Sequence, residues 1–583
     1  MSDLELLRRH EPVVRYTDGE LFLPAAVEDY VAICELIEKV PGERSDVVVA
    51  ERGSLTLEGL AAIGAARPGP GLYLRLVSEP FSRAQTTRWR LRGGRPHFRD
   101  ANRLARVGIL SRVLDALMRT SLFFRGKVAS GTQAAAETIC RERLRQDHHP
   151  YYGRVVREGG YVVLQYWFFY AFNDWRSRVY GVNDHEADWE QVVVYLAEQP
   201  DGTTTPAWVV FSAHDEVGDD LRRRWDDPDL TLVDGHPVVF AGIGSHSGAY
   251  LAGEYLTTFD PPAFLRVLRV FRSITRALLP WTRDSEQAGI GVPYVDYARG
   301  DGIGIGPGEA RGWTPVLVDD TTPWVFNYQG LWGNDTADPL GGERGPAGPR
   351  YERSGAVRPS WGNLVGWSGL AKVAPNREAA ADLVRSRLDE LDHEITATVD
   401  ELASKRMKLR ADAASGVVVP RAHEQVADEL AARRVSLEDE RRRLDARLGS
   451  PPTAVGPHDH LNHRHLPMPE GSPSRRRLLA IWSALSTPLI LVVVANAFLP
   501  GATLSIRALL LFGVLVLLTI EAVARRQLLR FVGAVVLLVV VVSVVSSIAA
   551  LVVFRGWQTT VAVVCVILAA VLLISNLREL ARD

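Results

Sequence analysis

The distribution of apolar residues changes abruptly near residue 475 of this 583-residue chain. Upstream, short apolar runs are interrupted by Gly, Pro and charged residues. Downstream, four apolar stretches follow one another, each roughly twenty residues long, which is enough for a helix to cross a hydrocarbon core of about 30 Å. They cover about 478–499, 504–523, 531–554 and 557–575. We therefore predict a transmembrane region of four helices over 476–583.

The arginines that flank these stretches predict the orientation of the spans. Basic residues cluster at 475–477, before the first span, and at 525–530, between the second and third, whereas the opposite loops carry only Arg507 and Arg555. Because cytoplasmic loops are enriched in Lys and Arg, both termini are expected in the cytoplasm, at the plasma or inner membrane if the protein is bacterial. A missing signal-peptide pattern and only three cysteines agree with a cytosolic N-terminal part. Arg507 and Glu521 lie near the ends of the second span, which weakens its prediction, although side chains at such positions can snorkel to the membrane interfaces.

A helical periodicity fills residues 376–450. Apolar residues recur at spacings of three and four, first from Val384 to Leu409 and again from Val426 to Leu448, with a break at Ser415–Pro420. This pattern predicts an antiparallel helical hairpin or coiled coil. Such a hairpin could mediate self-association, hold the preceding domain away from the membrane, or pack on that domain.

The segment 451–475 is rich in Pro and Gly and is predicted to be a linker. It contains four histidines, which are His458, His460, His463 and His465. A histidine group of this kind can bind a transition metal or respond to pH, and it can equally be a solvated feature of a flexible segment.

Short strand patterns dominate residues 1–375, with helical patterns near 26–39 and 101–119. We expect a mixed fold class: a β-sandwich-type N-terminal domain with added helices, then the helical hairpin, then the four transmembrane helices. The 67 Lys and Arg residues nearly balance the 69 Asp and Glu residues, so a basic nucleic-acid-binding surface is not expected.

Acidic residues and one histidine are expected to converge in this domain. Asp188 and Glu190 open a Val-rich strand, and because they are two positions apart they project from the same face. His185 precedes them on a loop, and Asp174 follows an aromatic strand that begins at Leu164. Carboxylates brought together repel one another unless protons or a cation neutralise them. We therefore predict a divalent-cation site, with an acid–histidine salt-bridge cluster as the alternative.

These residues belong to an ordered series of motifs that resembles the vacuolar protein sorting-associated protein 62 family over about residues 8–370. The similar segments are His10–Pro24, Leu164–Tyr170, His185–Glu190, Phe211–His214, Trp225, His236–Tyr250, Gly330–Gly333, Gly345–Pro349 and Trp361–Trp367. The chain is more distantly similar to the Nep1-like necrosis-inducing proteins, whose heptapeptide has the form Gly-His-Arg-His-Asp-Trp-Glu. Glu186 and Ala187 stand where those relatives have Arg and His, so no role of a second imidazole is expected here.

The resemblance implies a β-sandwich with a divalent cation at one end. Carried over by position, the ligands would be Asp174, His185, Asp188 and Glu190, with Asp184 as a substitute for Asp174. One imidazole with several carboxylates suits Ca²⁺ or Mg²⁺, and also Mn²⁺, better than structural zinc. Because the necrosis-inducing relatives are secreted, their toxicity is not expected of this chain.

His214, Ser245 and His246 are further candidates, either as ligands or as partners of the ligands. Ser245 and His246 are adjacent in sequence, and neighbours in a strand point to opposite faces, so they are not expected to form a nucleophile–base pair. A structural and a functional role of His246 stay equally open.

Three functions fit these observations. The first is a membrane-anchored cytosolic binding module that uses a divalent cation to recognise a lipid, a glycan or a protein. The second is a metal-dependent hydrolase in which Glu190 or His246 moves the proton. The third is a structural or transport membrane protein that its soluble domain regulates. The chain shows no nucleophile motif, phosphate loop or cofactor pattern, so we favour binding over catalysis.

Overall fold

A computed structural model of the protein describes residues 1–39, 46–94, 96, 98, 103–109, 112, 128, 130–175, 184–212, 218–259, 292–336, 343–416, 421–448, 456–461, 464–469, 472–497, 503–529, 531–536, 538–539, 542–543 and 546. The chain divides into two compact units. The first unit comprises Met1–Asp100, Asp115–Ala263 and Pro293–Glu470, and the second comprises Ala101–Leu114, Phe264–Val292 and Gly471–Asp583.

The described strands, in chain order, are β1 (Val13–Tyr16), β2 (Glu35–Glu38), β3 (Val47–Ala50), β4 (Leu72–Arg75), β5 (Pro150–Glu158), β6 (Tyr161–Asn173), β7 (His185–Glu198), β8 (Thr204–Phe211), β9 (Arg222–Arg224), β10 (Leu232–Val233), β11 (His236–Ala241), β12 (Gly248–Ala249), β13 (Gly253–Phe259), β14 (Val292–Ala298), β15 (Gly304–Ile305), β16 (Thr314–Leu317), β17 (Asp335–Thr336) and β18 (Glu343–Arg344).

The described helices are α1 (Asp3–His10), α2 (Val27–Ile33), α3 (Leu57–Ala66), α4 (Arg83–Leu91), α5 (Arg103–Arg106), α6 (Gly131–Arg143), α7 (Gly218–Leu221), α8 (Pro323–Asn327), α9 (Pro359–Gly362), α10 (Leu364–Trp367), α11 (Arg377–Ala414), α12 (Arg421–Leu448), α13 (Pro473–Ala497) and α14 (Leu504–Ala524).

A six-stranded sheet forms the centre of the first unit, with the strand order β16-β5-β6-β7-β8-β9. β16 runs parallel to β5, and the other neighbours are antiparallel. A two-residue turn, Gly159-Gly160, joins β5 to β6, and both glycines have positive φ, 60° and 77°. Tight hairpin turns favour glycine at such positions because the mirror-image backbone costs other residues energy.

The long strands β6 and β7 are buried on both faces. On one face, Tyr166, Phe168 and Tyr170 share a core with Val14 and Ile305 of a second sheet, which has the order β10-β11-β1-β15 with β12 beside β11. On the other face, helices α2, α3 and α6 pack against the sheet. Burial on both faces explains why β6 reads as a continuous aromatic run instead of an alternating pattern. The predicted mixed class is therefore confirmed, with sheets in the N-terminal part.

The predicted helical hairpin is also confirmed. Helices α11 and α12 are antiparallel, because Arg387 pairs with Glu440 at 3.1 Å while Glu394, further along α11, pairs with Arg433 of α12 at 3.8 Å. Leu391, Leu402 and Leu437 are buried along the hairpin. Whether the hairpin mediates self-association stays a prediction.

The second unit contains two helices long and apolar enough to cross a membrane. They cover Pro473–Asn496 and Leu504–Ala524, and only 22% and 11% of their apolar windows are buried, unlike a core helix of a soluble protein. The first two predicted spans are thus present as apolar helices. Residues 531–536 of the third span are helical, but most of that span and all of the fourth lie outside the described residues.

The two charged residues near the ends of the second apolar helix differ in exposure. Arg507 is exposed. Glu521 is only 4% exposed. The reason is an ion pair of 2.8 Å with Arg112, which belongs to the Ala101–Leu114 part of the same unit.

Candidate functional site

The predicted metal-binding residues lie where β6 ends and β7 begins. Asp188 pairs with Tyr170 across the strands, and Glu190 pairs with Phe168. Directly opposed residues of an antiparallel pair point to the same face. Asp188 and Glu190 therefore share one face, the one that carries the core common to the two sheets, as the two-residue spacing predicts.

A local irregularity of β7 at Ala187 turns the side chain of Glu186 to the face opposite that of Asp188. Ala187 has a φ of 58°, a left-handed conformation that is uncommon for a residue with a Cβ. The carboxylate of Glu186 then accepts hydrogen bonds from the backbone N–H groups of Leu76 (2.9 Å), Val77 (2.8 Å) and Asn334 (3.1 Å). Glu186 thus ties loops together on the helix-covered side and is not one of the converging residues.

His185 returns to the side of Asp188. It pairs with Asn173 across the strands, and the Asn173 side-chain amide donates to Asp188 Oδ2 at 2.9 Å. Opposed residues share a face, so His185 projects in the same direction as Asp188. Its Nδ1 lies 2.8 Å from the carbonyl oxygen of Ala187, which orients the ring.

His246 is the basic side chain in contact with Asp188. Its Nδ1 is 2.9 Å from Asp188 Oδ2, its Nε2 is 3.7 Å from Glu20 Oε1, and its side chain is fully buried. The ring stacks on Tyr170, with centroids 3.8 Å apart and planes 3° from parallel. His246 also has a positive φ of 57°, so the loop places it here at a conformational cost.

These carboxylates set the protonation state of His246. Burial alone lowers its pKa, but the hydrogen bond to Asp188 and the charge of Glu20 outweigh burial and raise the pKa to about 10. The imidazole is therefore a cation at neutral pH. The same contacts hold the pKa of Glu20 below its usual value although burial opposes this.

Glu190 has the opposite perturbation. Burial and then the neighbouring charge of Asp188 raise the pKa of Glu190 well above its usual value. Ser212 donates a short hydrogen bond to its Oε2. The raised pKa means that burial, and after it the charge of Asp188, disfavours an ionised Glu190, and a bound cation would relieve that cost.

Asp174 and Ser245 complete the cluster. The backbone N–H of Asp174 donates to Gly244 O at 2.9 Å, and Gln133 donates a short bond to its Oδ2. A Cβ on Gly244, whose φ is 71°, would lie 2.3 Å from Asp174 Oδ1, so only glycine allows this approach. Ser245 donates to both oxygens of Asp296, at 2.8 and 2.9 Å, and hence does not serve His246.

The structure therefore brings Asp174, Asp188 and Glu190 to one end of the sheet, with His185 directed towards them and Ser245 and His246 beside them. Asp184 is buried close by in the sequence. His214 lies outside the described residues. Sequence reasoning missed the supporting residues, which are Glu20, Gln133, Asn173, Ser212 and Asp296. Their only signal is that Glu20 and Ser212 fall inside the similar segments His10–Pro24 and Phe211–His214, and that Asn173 follows Leu164–Tyr170 by three residues.

A second group lies elsewhere in the first unit and includes the linker. Asp227 and Asp229 occupy the loop between β9 and β10, and His458 Nε2 is 3.0 Å from Asp227 Oδ1 and 3.3 Å from Asp229 Oδ2. One ligand atom from each residue lies within 4.8 Å of the others, so the group can hold a metal ion. Among the described residues it is the one set of three already gathered this closely.

Arginines already accompany these two aspartates. Arg464 of the linker forms a fork on Asp229, with distances of 2.8 and 2.6 Å. Arg223 Nε lies 3.9 Å from Asp227 Oδ2, and both side chains are fully buried. A metal ion bound to this group would therefore compete with guanidinium groups for the same oxygens.

The histidine-bearing part of the linker lies on the domain. His460 packs edge-on against Trp208 at 5.1 Å, and His465 packs against Tyr255 at 5.2 Å. The Met468 N–H donates to Glu254 O at 2.7 Å. The described histidines are thus contact residues and not a solvated cluster, and His463 lies outside the described residues.

Comparison with known proteins adds no relative to this description. The chain matches no protein-family model, no curated protein and no solved structure. The chemistry of the two groups therefore rests on the geometry alone. Deeply buried carboxylates around an imidazole suit the binding of a small cation, because a larger substrate could not reach oxygens that are almost fully covered.

Proposed function

We propose that this chain is a membrane-anchored protein whose N-terminal domain binds one divalent cation through Asp174, His185, Asp188 and Glu190. One observation carries the proposal: the buried carboxylates of Asp188 and Glu190 share one face of β7, buried Asp174 follows the neighbouring strand β6, and burial and then the charge of Asp188 raise the pKa of Glu190. The ordered motifs support membership of the vacuolar protein sorting-associated protein 62 family and a β-sandwich domain. The shared core of the two sheets agrees with that class.

Calcium or magnesium is the cation we propose, with manganese next. Carboxylate oxygens are the preferred ligands of these hard ions, and a single imidazole is compatible with manganese. The group Asp227, Asp229 and His458 is a separate candidate for an ion that readily binds imidazole nitrogen, such as zinc. The two groups are therefore distinguishable by metal preference.

The role we propose for the cation is to shape a recognition surface for a lipid, a glycan or a protein at the cytosolic face of the membrane. The hydrolase alternative has one supporting feature, since a buried Glu190 with a raised pKa could donate a proton. Against it, Ser245 is bound to Asp296, and the acidic cluster is almost fully covered. Binding therefore remains the better reading.

The metal proposal is tested by calorimetric titration of Ca²⁺, Mg²⁺ and Mn²⁺ into the metal-stripped full chain in lipid nanodiscs. Wild type is expected to bind one ion, and Asp188→Asn is expected to lose that binding, because an amide carries no charge. Asp201→Asn is the matched control, since Asp201 is exposed in the turn that joins β7 to β8. An unchanged affinity of Asp188→Asn would refute the site.

The membrane topology is tested separately. A reporter fused after Asp583 is expected to face the cytoplasm, because the basic residues lie on that side of the spans. A second reporter inserted at 501, between the sequence ranges of α13 and α14, is expected on the opposite side. Labelling of both reporters from the same side would contradict the topology without affecting the metal site.

A further inference from the structure

Arg112 is a buried arginine in the second unit whose polar atoms are all engaged. Its side chain is only 4% exposed, and its two terminal nitrogens hold the Glu521 carboxylate as a fork, at 3.0 and 2.8 Å. Its Nε donates to Thr487 Oγ1 at 2.7 Å, and Nη1 also donates to Val107 O at 2.7 Å. A planar guanidinium fits such a forked arrangement, which a lysine cannot reproduce.

Arg525 adds a second guanidinium to the same carboxylate. Its Nε donates to Glu521 Oε1 at 2.8 Å, one turn away on α14. Its two terminal nitrogens reach the backbone carbonyls of Ala105 (2.6 Å) and Val107 (2.8 Å). Glu521 therefore joins its own helix to Arg112, and Arg525 binds one carbonyl within the single-turn helix α5 and one directly after it.

The first span contributes a matching polar stripe. Arg112 donates from Nη1 to Ser483 Oγ at 2.9 Å and from Nη2 to Ser486 Oγ at 3.4 Å. Thr487, which accepts from Arg112 Nε, follows Ser483 by four residues, and Ser486 follows it by three. Residues at this spacing lie on one face of a helix. All three are buried, whereas Leu485 and Leu489 on the same helix are exposed. The polar face of α13 thus binds Arg112, and its Ser483 also accepts a hydrogen bond from Arg525 at 2.9 Å.

Ionisable groups on membrane helices are costly unless they are paired. Without Arg112, Glu521 would keep only Arg525 among these contacts, and the Ser483, Ser486 and Thr487 hydroxyls would lose a shared donor. Arg112 lies about 370 residues before Ser483 and Ser486 of α13 in the sequence, yet it supplies the missing partner. The simplest explanation is that the segment containing Arg112 is a constituent of the membrane unit.

We propose that residues 103–109 together with Arg112 are a membrane-docked clasp, which gives the N-terminal part of the chain an attachment to the membrane helices independent of the linker 451–475. Arg112 is the residue that fastens the clasp to α13 and α14. The proposal rests on the membrane insertion of these helices, which is part of the proposed function, but it does not depend on the metal site.

The test uses the full chain in nanodiscs of zwitterionic phosphatidylcholine, with a site-specific protease sequence inserted between Glu470 and Gly471. After cleavage, the 1–470 part of wild type is expected to stay with the nanodisc during size-exclusion chromatography. Arg112→Gln and Glu521→Gln are each expected to release it on the order of a hundredfold faster, because each breaks the buried pair. The matched control is Arg92→Gln, an exposed arginine at the end of α4, which should leave retention unchanged.

Three outcomes would overturn the proposal. The first is release of the wild-type 1–470 part after cleavage. The second is retention of this part in both Arg112→Gln and Glu521→Gln. The third is release in Arg92→Gln as fast as in Arg112→Gln, which would indicate attraction by charge alone. Misfolding is excluded by comparing the thermal unfolding of the released 1–470 parts, which should match that of cleaved wild type. The reporter experiments on topology separate a failure of the clasp from a failure of membrane insertion.

Discussion

The acidic cluster at the end of β6 and β7 and the group around Asp227 use the same residue types in opposite ways. In the first, Asp188 and Glu190 are neighbours on one strand, and a histidine is the basic partner that the geometry shows. In the second, each aspartate has an arginine, with Arg464 on Asp229 and Arg223 beside Asp227. Crowded carboxylates favour a cation, whereas carboxylates already paired with guanidinium groups favour docking of a chain segment.

Two histidines of the first unit show the same contrast in their protonation. Contacts with carboxylates raise the pKa of His246 to about 10 against the effect of burial. Burial, and then the charge of Arg9, lower the pKa of His10 to about 4. Burial alone therefore does not decide the charge of a histidine here. The carboxylates around it do.

The largest effect on stability is expected from Asp188→Ala. This substitution leaves the buried imidazolium of His246 without its hydrogen-bonded partner, and breaking a buried pair in this way costs about 3–5 kcal/mol of unfolding free energy. Thermal unfolding of the N-terminal domain, followed by tryptophan fluorescence without added metal, measures the loss. Asp201→Ala, in an exposed turn, is the control and should change little.

A double variant identifies the cause of that loss. His246→Asn removes the charge, and asparagine tolerates the positive φ at this position. The double variant Asp188→Ala/His246→Asn should therefore be more stable than Asp188→Ala alone. If the double variant were less stable, the cost would come from lost packing on Tyr170 and not from an unpaired charge.

A smaller effect is expected from the acid titration of His10. Its pKa is lower in the folded state than the unfolded value of about 6.5, so the neutral form contributes stability that is complete above pH 6.5 and is lost as pH falls towards 4. The loss should be on the order of 1–2 kcal/mol after allowing for partial exposure. His10→Phe keeps a ring against Trp225 and should flatten the unfolding free energy between pH 6.5 and 4. An unchanged slope would contradict this assignment.

The sequence predicted the parts of the molecule that follow from local periodicity. Helices α11 and α12 and the first two apolar helices lie close to their expected bounds, because spacings of three and four and long apolar runs are signals within a single segment. The shared face of Asp188 and Glu190 likewise follows from a period of two. Glu186 breaks that period because Ala187 has a positive φ. This backbone conformation is not predictable from an alanine in the sequence.

Contacts between distant segments were not predictable in this way. Gln133 and Asp296 reach the acidic cluster from a helix and a strand far apart in the chain, and nothing in their local sequence marks them. Arg112 likewise lies in a helical pattern with no sign of its partner Glu521. The packing of the linker histidines was not predictable either, because their partners, Trp208 and Tyr255, belong to other segments.

The smallest effect is expected from Arg464→Gln, which separates docking from metal binding in the Asp227 group. Arg464 is 41% exposed, so loss of its fork on Asp229 should weaken linker docking by only about 0.5–1 kcal/mol. Faster proteolysis within 456–469 measures that change. The same variant should bind Zn²⁺ more tightly, because one competing positive charge leaves the carboxylates, and titration in an Asp188→Asn background isolates this group.

Two further variants help to interpret the zinc affinity of Arg464→Gln and thus the difference between the two acidic groups. His458→Ala should remove the Zn²⁺ response altogether, because the group then keeps only two ligands. Arg433→Gln, an exposed arginine of the hairpin, is the charge control and should leave zinc affinity unchanged. If Arg464→Gln lowered the affinity for zinc, the arginine would be organising the site and not competing for it. The two acidic groups would then differ less than their geometry indicates, since both would be cation sites held in shape by a basic partner.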